Sequence, residues 1–79
     1  MITPFQKTLY RPENGTWHYL RLLWQEASQS FEVRTAPCGL PATPIRQEPL
    51  LPGETKETAL HRLVVALKQA GYSERPDME

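Results

Sequence analysis

The single cysteine, Cys38, and the two histidines, His18 and His61, are the side chains here best suited to nucleophilic or metal chemistry. Their surroundings in the sequence support neither. A reactive thiolate needs a base and a positive environment, and neither histidine has an acidic residue at a telling spacing. No C-x-x-C or H-x-x-x-H pair begins a metal site. Nor is there a glycine-rich phosphate loop, a pair of catalytic carboxylates or a Ser-His-Asp order. The residues predict a non-enzymatic protein with no cofactor and no metal, in which Cys38 is a structural or incidental thiol.

Recognition chemistry is better represented. In the stretch TWHYLRLLWQEA, Trp17, Tyr19 and Arg21 alternate with His18, Leu20 and Leu22. On a strand, alternate residues share a face. If Leu20, Leu22 and Trp24 face the core, then Trp17, Tyr19 and Arg21 form an exposed aromatic-arginine surface. Such residues are enriched at interface hot spots and can stack nucleobases. Arg34, on the strand that follows, and Arg46 complete the expected partner-binding set. The alternative is that these aromatics are core or lie under the N-terminal segment, because both faces carry large apolar groups. A slip of one residue would invert the choice.

These residues must be positioned by a small number of elements. ITPFQKTLYR reads as a first strand, with Phe5, Lys7 and Leu9 on one face and Gln6, Thr8 and Tyr10 on the other. RPENG then breaks the strand, and Asn14-Gly15 tolerates the positive φ of a tight turn. The aromatic-rich stretch is the second strand. SQS turns the chain, and SFEVRT returns as a third strand with Phe31 and Val33 facing inward. RTAPCGLPATP is an irregular connection, and PIRQEPLL is a fourth, edge strand blunted by Pro44 and Pro49.

From Thr55 to Ala70 the spacing predicts a helix. Thr55 caps it, and Ala59, Leu60, Leu63, Val64, Leu67 and Ala70 form one apolar stripe. Lys56, Arg62, Lys68 and Gln69 lie away from the stripe, and Gly71 ends the helix in a left-handed conformation. The expected architecture is α+β: a three- to four-stranded antiparallel meander with one C-terminal helix packed on one face. Residues 1–72 form a single small domain, and residues 73–79 form a polar tail.

Length and charge narrow the function classes. Seventy-nine residues suffice for one small core. Nine basic residues balance nine acidic ones, so no basic excess advertises nucleic-acid binding. A single cysteine forms no internal disulfide, which fits a reducing compartment. MITPFQKTLY lacks the apolar core of a signal peptide, and no apolar run is long enough to span a bilayer. A cytoplasmic protein without membrane contact is expected.

The order of these elements resembles the WGR domain family. TWHYLRL is similar to the family's aromatic second strand. FEVRTAPCGLP occupies the place of its third strand and signature loop, and ETALHRLVVALKQAGY resembles its closing helix with a Gly-Tyr end. The resemblance covers most of residues 8–72. Where the family has Trp-Gly-Arg, this chain has Ala36-Pro37-Cys38 or a near neighbour, and Gly39 matches a later loop glycine. The resemblance implies contact with DNA or with a neighbouring domain; the missing signature puts DNA binding in doubt. The expected function is therefore a small protein–protein interaction module, of adaptor or inhibitor type, working through the aromatic-arginine face or an edge strand. WGR-like nucleic-acid binding is the alternative.

Overall fold

A computed structural model describes residues 5–74. Four strands follow one another in space in the order of the chain, all antiparallel, and one helix closes the sequence. The elements are β1 (Gln6–Glu13), β2 (Thr16–Gln25), β3 (Ser30–Pro37), β4 (Thr43–Pro49) and α1 (Lys56–Gln69). This is the expected α+β meander.

The first hairpin is tighter than its sequence suggests. Glu13 pairs with Thr16, leaving only Asn14 and Gly15 in the loop, at φ 53° and 79°. Positive φ at both positions is the type I′ pattern, whose twist matches that of the flanking strands. Pro12, expected to break β1, lies inside it opposite Trp17. Tyr10 directs its N–H and its C=O to Ser73, away from β2. Pro12, two residues on, points the same way, so its missing N–H falls on the outer edge and removes no ladder bond.

The register places Leu9 opposite Leu20, Leu22 opposite Val33 and Trp24 opposite Phe31. These face α1. Leu9, Phe31 and Val33 are fully buried, and Leu20 and Leu22 nearly so. Trp24 meets Phe31 edge-on, with ring centroids 5.1 Å apart, and Phe5 tilts against the same ring. Ala59 and Leu63 of α1 close this core, with Leu60, Val64 and Leu67 partly buried around them.

The helix is fixed at both ends. Thr55 and Thr58 form a reciprocal capping box, and Glu57 adds negative charge to the first turn. At the other end Gly71 has φ 102°, and the N–H groups of Gly71 and Tyr72 donate to the carbonyls of Lys68 and Leu67. That is a Schellman motif. Arg62 is less solvated than its place off the apolar stripe suggests, because Glu54 accepts from it at 2.7 and 3.1 Å. The hydrogen bonds from Arg62 and the Leu51 N–H hold the Glu54 carboxyl below its ordinary value.

The chain remains engaged past Tyr72. Ser73 exchanges two backbone hydrogen bonds with Tyr10 along the free edge of β1, and Glu74 forms ion pairs with Lys68 and Lys7. These two residues lie in the segment expected to be a polar tail; the rest of that segment is outside the described residues. Hydrogen bonds from Lys68 and Lys7 hold the Glu74 carboxyl down at about 2. A carboxylate whose folded pKa is depressed stabilises the fold above its unfolded pKa and loses that contribution as pH falls through the folded value. The expected outcome is that Glu74→Gln lowers Tm near neutral pH, and that the difference from wild type shrinks as pH falls from about 5 toward 2. A difference that stays constant across that range, read by circular dichroism melting, would show that the carboxylate does not clasp α1 to β1.

Candidate binding surface

One helix covers one face of the sheet. The other face is built from the residues between those that feed the core, in rows set by the register. Pro12 stands opposite Trp17. Tyr10, Tyr19 and Ala36 form a second row, and Thr8, Arg21, Arg34 and Pro44 a third. Gln6, Leu23, Glu32 and Gln47 form the fourth. Trp17, Tyr19, Arg21 and Arg34 therefore share the helix-free face, each half-buried.

Arg46 does not join them. A β-bulge between Val33 and Arg34 shifts the register, so that Arg34 pairs with Pro44 but Val33 pairs with Arg46. Val33 faces α1, and Arg46 lies on its side of the sheet. Had the pairing of Arg34 with Pro44 simply continued, Arg46 would stand opposite Glu32 on the open face. The extra residue is Ile45, which is half exposed at the sheet's edge.

The connection that carries Cys38 partly shields one end of the open face. The Cys38 N–H donates to the Trp17 carbonyl at 2.8 Å, extending the ladder by one residue. A turn follows, closed by the Leu40 N–H on the Pro37 carbonyl. The Tyr19 hydroxyl then donates to the Leu40 carbonyl at 2.6 Å. Ala36, the cross-strand neighbour of Tyr19, is buried. Tyr19 thus has a bound polar end and is half-buried as a whole, whereas the Leu40 side chain is largely exposed.

Charge on this face is uneven. Arg21 and Arg34 are directly opposite each other on adjacent strands. Like charges in that position repel. Glu32 answers Arg34 with a contact of 2.5 Å. Arg21 has no such answer: its Nε donates to the Thr8 hydroxyl at 3.4 Å, and its guanidinium lies 5.5 Å from the Tyr19 ring centroid.

The opposite face offers a groove of about 430 Å³ beyond the end of α1, lined by Arg11, His18, Leu20, Ile45, Arg46 and Tyr72 among others. Its arginines already have partners. Arg11 pairs with Glu13 and stacks on Tyr72, and Arg46 pairs with Glu48. His18 belongs to this side, 3.8 Å from Glu13, while His61 is exposed on α1 and Cys38 is exposed on its turn. Among the described residues no three His, Cys, Asp or Glu side chains come together as a metal site, and no helix is long and apolar enough to cross a membrane.

Tyr10, opposite Tyr19, extends the aromatic surface from β1, outside the alternating aromatics of β2. Its signal was available: a two-residue turn at Asn14-Gly15 fixes the pairing of every residue upstream. No protein-family model, curated protein sequence or solved structure matches this chain.

The Tyr19 hydroxyl bond gives a direct check on the geometry. Tyr19→Phe is expected to cost about 0.5–1 kcal/mol in urea unfolding, the net worth of one exposed hydrogen bond. It is also expected to speed hydrogen exchange at the Leu40 amide, whose turn is no longer tied to β2. An unchanged exchange rate there would mean that the loop holds itself.

Proposed function

We propose that this chain is a small non-enzymatic protein–protein interaction module, of adaptor or inhibitor type, that meets its partner on the helix-free face of the sheet. The observation that carries this reading is the one-sided cover. A single helix packs on Leu20, Leu22, Phe31 and Val33, and the opposite face presents Trp17, Tyr19, Tyr10, Arg21 and Arg34 to solvent in adjoining rows. Aromatic and arginine side chains at the centre of a half-buried patch are the residue types from which hot spots are made. Rigid strands present them, so little ordering cost opposes binding.

A second reading, nucleic-acid binding in the manner of the WGR family that the sequence resembles, draws support from Arg21 and Arg34, opposite each other on adjacent strands, with the Arg21 guanidinium by the Tyr19 ring. The charge balance weighs against it. Arg11, Arg34, Arg46 and Arg62 are each engaged by a glutamate, and the whole chain carries no net charge. Phosphate binding draws on uncompensated cations.

For the protein-binding reading, Trp17→Ala and Arg21→Ala are expected to keep a cooperative thermal transition while losing partners that wild type retains. His61→Ala, on the exposed side of α1, is the matched control and should retain them. The same variants are tested for binding short duplex and single-stranded DNA by mobility shift over a salt series. Retention of the partners by both open-face variants would sink the reading. A DNA complex that weakens steeply with salt and is lost with Arg21→Ala would move it to nucleic acid.

A further inference from the structure

Arg21 differs from every other arginine among the described residues. Arg11 pairs with Glu13, Arg34 with Glu32, Arg46 with Glu48 and Arg62 with Glu54. Lys7 and Lys68 share Glu74, and Lys56 lies over the Phe5 ring. Arg21 alone among these arginines has no carboxylate, although it occupies the middle of the open face and stands opposite another arginine. Its neighbours, the Thr8 hydroxyl and the Tyr19 ring, fix its orientation without neutralising it. Its two terminal nitrogens have no hydrogen-bond partner among the described residues. A threonine or glutamine would suit this strand position better by propensity and by charge.

We propose that the open face binds an acidic segment of a partner protein, with a carboxylate seated on the Arg21 guanidinium and, about four residues along an extended segment, an apolar or aromatic side chain against Trp17. This rests on the protein-binding reading of the same face. A guanidinium presents paired N–H donors in a plane that a carboxylate matches with two hydrogen bonds. The surface supplies one uncompensated positive charge, and one carboxylate satisfies it. A nucleic-acid backbone fits less well, because it brings a charge at every nucleotide while Glu32 compensates Arg34 and leaves one uncompensated cation to meet them.

The test is selection of short randomised peptides, displayed on phage, against the full chain. The expected result is enrichment of Asp or Glu over the starting library in peptides whose binding Trp17→Ala weakens. The best synthetic peptide should bind wild type about tenfold more tightly than Arg21→Met, the worth of one charge-assisted bidentate pair. The same loss should follow when its acidic residue is changed to the amide, with the protein left as wild type. Arg46→Met, on the other face, should change nothing. The variant Arg21→Met should melt no lower than wild type; should it fail to fold, the amide peptide on wild-type protein decides alone. Selected peptides that depend on Trp17 but show no acidic enrichment overturn the carboxylate and leave the surface standing. Failure to enrich any peptide that Trp17→Ala weakens overturns the surface as well. An Arg21-dependent complex with oligo-dT that displaces the peptides, or an Arg21-dependent dimer in sedimentation, overturns the proposal in favour of that occupant.

Discussion

The two-residue turn at Asn14-Gly15 decides which side chains of this protein meet. With Glu13 held opposite Thr16, Leu9 must stand opposite Leu20, and Tyr10 opposite Tyr19. One residue more or less in the loop would send Trp17, Tyr19 and Arg21 into the core and turn Leu20 and Leu22 to solvent. Both faces of β2 carry large apolar groups, so alternation alone does not separate them. The turn does, because its backbone permits a single pairing and a type I′ geometry twists the strands as a sheet requires.

From that register the division of labour follows. Among the described residues one helix is available, and it covers the face where Leu20, Leu22 and Val33 pack with Phe31, and where the Trp24 ring N–H, at the edge of the core, donates to Glu26. The capping box, the Schellman end and the Glu74 clasp hold α1 at its two ends and against β1, where a short helix would otherwise fray. The face left open holds Trp17, Tyr19 with a hydroxyl that donates to the Leu40 carbonyl, and two arginines, whose charge an apolar core would not accommodate. A fold optimised only for stability has no reason to set Arg21 against Arg34, and residues that break a local rule without a local gain tend to mark function.

Much of this was legible in the sequence. The strand order, the helix and its caps, and the inward Phe31 and Val33 follow from period, turn chemistry and capping residues, whereas the face of β2 that carries Trp17, Tyr19 and Arg21 stays undecided until the pairing is known. The misses have physical causes. Pro12 reads as a strand breaker because the outward direction of its absent N–H depends on the pairing partner, which one strand cannot reveal. Arg46 reads as a companion of Arg21 and Arg34 because a bulge leaves no mark in PIRQEP, whose residues are largely exposed and carry no alternation. Glu74 reads as tail because its two lysine partners, Lys7 and Lys68, lie far away in the chain. Local signals locate elements; offsets and long-range ion pairs arise only when the elements dock.

Arg21 stands opposite Arg34 without a carboxylate of its own, a placement that costs the fold stability if the two charges repel. A double-mutant cycle in urea unfolding tests it most directly, with wild type, Arg21→Met, Arg34→Met and the double variant. A repulsive coupling of about 0.3–1 kcal/mol is expected. Arg21→Met should be neutral or stabilising in the wild-type background, and destabilising in the Arg34→Met background, where Glu32 is free to engage Arg21. An Arg21→Met that costs the same in both backgrounds would contradict it, and would make Arg21 a structural member of the sheet.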